Sequence, residues 1–174
     1  MSDPQVLVER RVAATPERVW QVLTDPEGAA GALRGVSGIE VLTPGPFGVG
    51  TRWRETRTSA WRSGGFGRSG GAGRGGKGGR GTTEEVYVTA YDPPHRFVAE
   101  ADAPGVHYVA QFTVVPDLDD TAVLRVALTA TATGGTSRLL ARLFGHLGAG
   151  TAAAVQQDVA DLAAAAERGA GRPG

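Results

Sequence analysis

The residues best suited to acid–base chemistry in this chain are three histidines, His95, His107 and His146. Histidine titrates near neutral pH and is therefore a common general acid or base. His95 follows two prolines at a predicted turn, and His146 points away from the apolar side of a predicted helix. His107 opens a predicted strand and is the strongest of the three, although a structural role at a strand end is the simpler interpretation. No two of them have the spacing of a metal site.

Polar residues inside predicted strands are the second group that could take part in binding or catalysis. Alternation along residues 106–116 places Tyr108 and Phe112 on the more apolar face, which we expect to point inward. Glu55 and Arg125 also lie in strands, where a charged side chain is normally on the solvated face. Pointing inward, either one would be costly to bury unless it met a ligand or a partner.

Motifs of cofactor binding and covalent catalysis are missing from the sequence. The glycine-containing turn at residues 43–50 lacks the GxxxxGK[ST] pattern of a phosphate loop, and no GxSxG nucleophile turn is present. The stretch PDLDDT at residues 116–121 lacks the glycine and the distal glutamate of a calcium loop and reads as a hairpin turn. Cysteine is absent, which excludes disulfides and thiol chemistry. We therefore expect no metal and no cofactor, and we name no catalytic residue.

A glycine-rich insert at residues 59–81 is the most unusual segment, with five basic residues and no acidic one. This composition buries too little apolar surface to offset the cost of ordering, so we predict a disordered loop. Its arginines and glycines, with Trp61 and Phe66, resemble RGG segments that bind RNA, and an RNA-associated function is one hypothesis. A tolerated expansion at a hairpin tip is the simpler one. The residues that would contact nucleic acid are Arg62, Arg68, Arg74, Lys77 and Arg80.

Strands dominate the chain before its last forty residues or so. Period-two alternation and turn signals predict seven of them, at residues 5–12, 36–42, 51–58, 82–91, 96–101, 106–116 and 121–132. Two short helices follow the first strand. Thr15 caps the first, and a second begins at Pro26 and runs to about Leu33. Consecutive strands joined by short turns pair antiparallel.

A long helix over residues 136–168 organises the fold. Apolar residues recur there at spacings of three and four, and Gly169 ends it. At about 1.5 Å per residue it is roughly 45 Å long. The apolar face of the sheet needs a cover, and only this helix is large enough. We therefore predict one α+β domain at residues 1–168, in which a curved seven-stranded antiparallel sheet wraps the helix, and a flexible tail at residues 169–174.

Charge and hydropathy exclude several other classes of protein. The formal net charge is zero, with 18 basic and 18 acidic residues; outside the insert, 13 basic residues face 18 acidic ones, which makes the body slightly acidic. The first residues, MSDPQVLVERR, lack the apolar run of a signal peptide, and no stretch approaches the roughly 18 apolar residues of a membrane span. We expect a cytoplasmic protein that does not span a membrane.

Five stretches of the chain together resemble a known superfamily. They are ATPERVWQVLTDPE at 14–27, GVGTRWRE at 48–55, VTAYDPPHRFVAEA at 88–101, YVAQFTVVP at 108–116 and QQDVADLAAAAE at 156–167. This pattern resembles the START/polyketide cyclase (SRPBCC) superfamily and its helix-grip fold, and is most similar to bacterial members described as polyketide cyclase/dehydrase-like. The resemblance is specific for fold and weak for activity, because one fold hosts many functions.

The resemblance implies a cavity between the concave face of the sheet and the long helix, usually filled by an apolar ligand. Small residues at 152–166 agree with such a space, although alanine also permits closer packing. The insert would lie on the entrance side, where it could act as a lid. We expect the protein to bind a small hydrophobic molecule, lipid-like or polyketide-like; the alternative is an aromatase/cyclase-type enzyme. The expected pocket residues are Trp53, Tyr87, Tyr108, Phe112, Leu124, Leu143 and Leu147, with His107, Glu55 and Arg125 as polar residues at the mouth.

Overall fold

The computed structural model describes residues 4–58, 82–103, 105–133 and 137–170, and for residues 137–149 and 170 it describes the backbone alone. The basic insert predicted at residues 59–81 lies outside these residues, together with the five cations proposed to contact nucleic acid. The side chains of His146, Leu143 and Leu147 lie outside them as well.

Seven strands form one antiparallel sheet in the order β1-β7-β6-β5-β4-β3-β2. The strands are β1 (Val6–Val12), β2 (Val36–Val41), β3 (Arg52–Arg57), β4 (Thr82–Asp92), β5 (Arg96–Ala103), β6 (Val106–Pro116) and β7 (Ala122–Ala132). Strands β2 to β7 pair as consecutive hairpins, and β1 pairs with β7, so β1 and β2 are the two edges. The structure confirms the predicted helix-grip architecture, a curved antiparallel sheet with a long C-terminal helix.

In the part of the chain that the structure describes, three helices accompany the sheet: α1 (Pro16–Leu23), α2 (Pro26–Ala30) and α3 (Ser137–Ala170). The Thr15 hydroxyl accepts a hydrogen bond from the backbone N–H of Arg18 at 3.3 Å, which caps α1 as predicted. Helix α2 ends earlier than predicted, because Gly31 forms its C-cap and the chain turns there. Within the described residues, no helix combines the length and the apolar character needed to cross a membrane.

Helix α3 continues through Gly169, where the sequence predicts its end. The reason is a tertiary contact with α1. The guanidinium of Arg18 lies directly over Gly169, where an added Cβ atom would be 2.3 Å from it, so a larger residue at 169 would require the Arg18 side chain to move. Packing against α1 thus holds the last turn of the helix in place, although glycine has a low helix propensity.

The core joins the inward face of the sheet to α1 and to the C-terminal half of α3. Phe97 stacks on Phe112 with ring centroids 4.6 Å apart, and Phe47 meets Phe97 edge to face at 5.2 Å. Val159 and Leu162 of α3 are 1% and 8% exposed, and burying each such side chain contributes about 1.5–3 kcal/mol. The amphipathic spacing along residues 136–168 thus predicts the buried stripe of α3 correctly where its side chains are described.

Asp161 anchors α3 to the segment between α2 and β2. Its carboxylate is 6% exposed and accepts hydrogen bonds from the backbone N–H of Arg34 at 2.9 Å, from Arg34 Nε at 2.8 Å and from Gln157 Nε2 at 2.8 Å. Burial alone raises the pKa of Asp161, but the hydrogen bonds and the charge of Arg34 outweigh it and hold that pKa below its ordinary value. Asp161 is therefore ionised at neutral pH and fully satisfied.

We expect Asp161→Ala to lower the free energy of unfolding by about 1–3 kcal/mol, because it removes a buried carboxylate that accepts hydrogen bonds from Arg34 and Gln157. Urea unfolding at pH 7 measures this change. Asp117→Ala is the matched control: Asp117 pairs with Arg11 at the surface, where both side chains are partly exposed, and its loss should cost less than about 1 kcal/mol. Equal losses in the two variants would contradict an anchoring role for Asp161.

Candidate functional site

A cavity lies between the inward face of the sheet and helix α3. Its volume is about 180 Å³, and an engineered cavity of about 150 Å³ in another protein takes up benzene. A small aromatic molecule therefore fits. Most of the described wall is apolar, from Trp53, Val86, Ala99, Ala101, Ala110, Phe112, Val126, Leu128, Val155, Val159 and Leu162.

Glu100 also lines the cavity, and four other charged residues of the wall, Glu55, Arg57, Glu84 and Asp158, form what we call the charged cluster. Arg57 Nε donates to Glu55 Oε1 at 2.5 Å, and Arg57 Nη2 donates to Asp158 Oδ2 at 2.8 Å. These three side chains are only 18%, 12% and 17% exposed. Glu84 lies directly opposite Glu55 in the β3–β4 register. Two carboxylates therefore pair with one guanidinium in a largely apolar wall, and the carboxyl group of Glu84 belongs to the residue opposite Glu55.

The charged cluster has shifted pKa values with distinct causes. Burial by itself lowers the pKa of Arg57, but the charges and hydrogen bonds of Glu55 and Asp158 outweigh it, so that pKa is raised and Arg57 is charged. Burial raises the pKa of Asp158, opposed by Arg57. Burial also raises the pKa of Glu84; Arg57 opposes this shift and Glu55 adds to it. Glu84 and Asp158 thus hold a proton more tightly than ordinary carboxyl groups do.

Tyr108 and Trp53 add hydrogen-bonding groups to the same wall. Burial, together with the nearby charge of Glu84, raises the pKa of the Tyr108 hydroxyl, which therefore stays protonated at neutral pH. Trp53 is 9% exposed, and its buried Nε1 finds no acceptor among the described residues. A buried donor without a partner is costly, and a ligand atom or a water could satisfy it.

Strand alternation explains how the charged cluster is positioned. In β3, Trp53, Glu55 and Arg57 are two residues apart and share the inward face. In β4, the same rule puts Glu84 on the face of Val86. The sequence analysis missed Arg57, Glu84 and Asp158, although the spacing of Arg57 from Trp53 was a usable signal. Asp158 follows Val155 by three residues, which places it on the buried stripe of α3.

His107 lies on the opposite face of the sheet, away from the cavity. Its Nδ1 is 2.8 Å from Asp102 Oδ1 and its Nε2 is 3.0 Å from Glu100 Oε2, and the Tyr87 hydroxyl donates to Asp102 at 3.3 Å. The hydrogen bond to Asp102 raises the pKa of His107, and the charges of both carboxylates add to this shift, whereas partial burial opposes it. When it is protonated, His107 therefore bridges β6 to β5 as a surface ion pair.

The structure brings some of the predicted site residues together and separates others. Those in the cavity wall are Trp53, Glu55, Tyr108 and Phe112. Those on the opposite face are Tyr87, His107 and Arg125, the last paired with Glu9. Leu124 is 0% exposed and belongs to the solid core, outside the wall of this cavity. A ligand contact by any of them stays a prediction.

The described residues give no support for a metal centre. Within them, no group of three or more histidine, cysteine, aspartate or glutamate side chains has the arrangement to hold a metal ion. Two carboxylates of the charged cluster, Glu55 and Asp158, are instead paired with Arg57. The cluster can therefore accept hydrogen bonds from a bound molecule or exchange a proton with it.

Comparisons with known proteins agree with this fold. A family model described as "Polyketide cyclase / dehydrase and lipid transport" matches residues 3–167. An aromatase/cyclase from a Streptomyces species shares the fold, with TM-score 0.66, 20% identity, and coverage of 94% of this chain and 93% of that one. A Thermus thermophilus protein has TM-score 0.63, 20% identity and coverage of 94% and 97%.

A third solved structure is a norcoclaurine synthase from Thalictrum flavum in complex with dopamine and hydroxybenzaldehyde. It has TM-score 0.52, 21% identity, and coverage of 89% of this chain and 85% of that one. At these identities the likeness to all three structures is one of fold. No curated protein matches the chain.

We expect Glu84→Gln to raise the free energy of unfolding at pH 7 by no more than about 1 kcal/mol, since partial exposure screens the effect. The raised pKa means that folded Glu84 binds its proton more tightly than in the unfolded chain. The wild type therefore loses stability as pH rises from about 4.3 through the raised value. The glutamine variant lacks this loss, so the difference should grow across that window and then level off.

Urea unfolding between about pH 4 and pH 7 tests this expectation, with Glu85→Gln as the neighbouring control. Glu85 faces the other side of the sheet and pairs with Arg52 at 3.0 Å. Its replacement should bring no gain that grows with pH. If the Glu84→Gln and wild-type stability curves ran parallel across the window, Glu84 would not have the raised pKa.

Proposed function

The chain belongs to the polyketide cyclase/dehydrase and lipid transport family, and from this we propose that it binds a small, largely apolar molecule in the cavity between the sheet and α3. The observation that carries the proposal is the cavity itself, about 180 Å³ with a mainly apolar wall. The fold is one that binds hydrophobic ligands. Apolar walls with a few convergent polar groups are typical of small-molecule sites.

The charged cluster supports a narrower choice of ligand. Glu55 and Asp158 already engage Arg57, and Glu84 adds a third carboxyl group. An anionic ligand would meet more negative than positive charge in a poorly solvated wall, where repulsion is strong. A neutral ligand with a hydroxyl group, or a ligand with an amine, can instead donate hydrogen bonds to the carboxylates. The proposed ligand therefore has an apolar body and a hydrogen-bond-donating group.

We expect the protein to bind 2-naphthol at least about tenfold more tightly than 2-naphthoate at pH 7, because like charges in a desolvated site cost several kcal/mol. The two probes share one ring system and differ in whether the polar group is a neutral donor or an anion. The change in naphthol fluorescence and calorimetry for the naphthoate give the two Kd values. Equal affinities would show that the charged cluster does not meet the ligand.

Ala110→Leu is the variant that locates the probe. Ala110 lines the cavity, so the added side chain should fill it and weaken 2-naphthol binding by about tenfold or more. Gln111→Leu is the matched control, since Gln111 is the next residue of β6 and lies beside Arg96 on the opposite face. If both variants bound 2-naphthol like the wild type, the cavity would not be the binding site.

An enzyme of the cyclase/dehydrase type is the second candidate, and Glu84 is the observation in its favour. A carboxyl group with a raised pKa in a cavity wall is suited to general acid–base chemistry, and Tyr108 lies in its field. Two solved structures of this fold are enzymes, an aromatase/cyclase and a norcoclaurine synthase. In such a reaction Glu84 would exchange a proton with a substrate carbonyl or its α-carbon.

Incubation with a synthetic poly-β-ketone, followed by mass spectrometry for the loss of water on cyclisation, tests this second candidate. We expect Glu84→Gln to slow that loss by about 100-fold or more, the usual contribution of a general acid or base. Binding of the unreacted ketone should change little, because glutamine keeps the shape of the side chain. Equal rates in the variant and the wild type would exclude Glu84 as the acid–base group.

A further inference from the structure

A second, smaller cavity lies beside the first, and no function has been given to it so far. Its volume is about 100 Å³. The walls that it does not share with the first cavity come from α1, α2 and the segment after α2, and from strands β2 and β5. They are apolar throughout, being made by Leu23, Pro26, Ala29, Leu33, Ile39 and Phe97.

The two cavities have a common boundary made by six residues. Trp53, Glu55, Arg57, Phe112, Asp158 and Leu162 line both of them. The boundary therefore includes the ion pairs of Arg57 with Glu55 and Asp158, at 2.5 and 2.8 Å. Glu84 lines only the larger cavity. The charged groups thus lie between two apolar cavities, and not at the closed end of a single cavity.

Charged groups in this position are expensive for the protein alone. Ionised side chains between two apolar spaces lose hydration on both sides, and their mutual attraction seldom offsets that loss. The same boundary contains Trp53 Nε1, a buried donor without an acceptor among the described residues. A molecule with a polar group at the boundary would supply an acceptor for Trp53 and donors for the carboxylates. Its apolar groups would fill the spaces on either side.

We propose that the two cavities are halves of one ligand site, and that the ligand is an elongated molecule with two apolar groups joined by a short polar segment. This inference rests on the proposed binding function and names the class of ligand. The polar segment lies against Glu55, Arg57 and Asp158, one apolar group occupies the larger cavity, and the other reaches the space under α2.

A pair of amide probes tests this arrangement. N-benzylbenzamide has two rings joined by an amide, which both donates and accepts, whereas N-methylbenzamide has the same amide and one ring. We expect the wild type to bind the two-ring probe at least about tenfold more tightly, since filling an apolar subsite typically changes affinity by about 10- to 200-fold. Calorimetry at pH 7 gives both Kd values. Equal affinities for the two probes would overturn the inference.

Two cavity-filling variants separate the halves of the site. Ala29→Leu fills the smaller cavity, because Ala29 lines that cavity alone and is 8% exposed. It should weaken N-benzylbenzamide by about tenfold and leave N-methylbenzamide within about twofold of the wild type. Ala110→Leu fills the larger cavity and should weaken both probes. If Ala29→Leu left the two-ring probe unchanged while Ala110→Leu weakened both, the two-part site would be wrong and the proposed function would stand.

The opposite failure has a different pattern. If Ala110→Leu weakened neither probe, binding in the larger cavity itself would be contradicted. Should Ala29→Leu unfold the protein, the smaller change Ala29→Val replaces it, with thermal melting as the check on folding. Contacts between the benzyl ring and the methyl groups of Leu23, Leu33 or Ile39, measured by nuclear Overhauser effects in the wild type, give a readout that needs no variant. Their absence in the bound complex would overturn the inference.

Discussion

A guanidinium held between two carboxylates in a poorly solvated interior joins the sheet to its covering helix. Arg57 of β3 reaches Asp158 of α3 while it also binds Glu55 on its own strand. Such a group cannot be left half paired, because a buried charge without its partner costs about 3–5 kcal/mol. The distance between β3 and α3 is therefore fixed by electrostatics at this point. The cavities on either side of these ion pairs are the space in which a ligand could bind.

In helix α3, different residues fix the position of the helix and form the wall of the cavity. Three of its acidic residues bind three different parts of the chain: Asp158 binds β3, Asp161 binds the segment after α2, and Glu167 accepts a hydrogen bond from the backbone of Ala13 after β1. These contacts hold the helix without requiring dense apolar packing everywhere beneath it. The alanine-rich stretch can then leave room above the sheet without loosening the fold.

Local signals in the sequence predict the elements well and the charged cluster poorly. Alternation, caps and turns are short-range features, so the strands, α1 and most of α3 follow from them to within a few residues. Local signals do not show which face of a strand points inward. A charged residue such as Arg57 is therefore assigned to the solvent face unless its distant partner is known. Asp158, the partner on α3, lies far along the chain, and no local pattern connects the two. His107 could act as an acid or base, but it lies on the face of the sheet opposite the cavity. Its position was mispredicted because local patterns do not show which face of a strand meets the distant helix.

The β3–β4 pairing carries a consequence for how this chain can change in length. Glu55 is opposite Glu84 and Arg57 is opposite Thr82. Because side chains alternate along a strand, whether a position is odd or even within its strand decides which face of the sheet its side chain lies on. One residue added within β3 would exchange its two faces and turn a solvent-facing arginine such as Arg54 toward the interior, and one added within β4 would do the same to Glu85. Residues added between Arg57 and Thr82 leave that parity intact, at a cost that grows only slowly with loop length. The same residues of β3 and β4 therefore face the cavity whatever the length of the connection between the two strands.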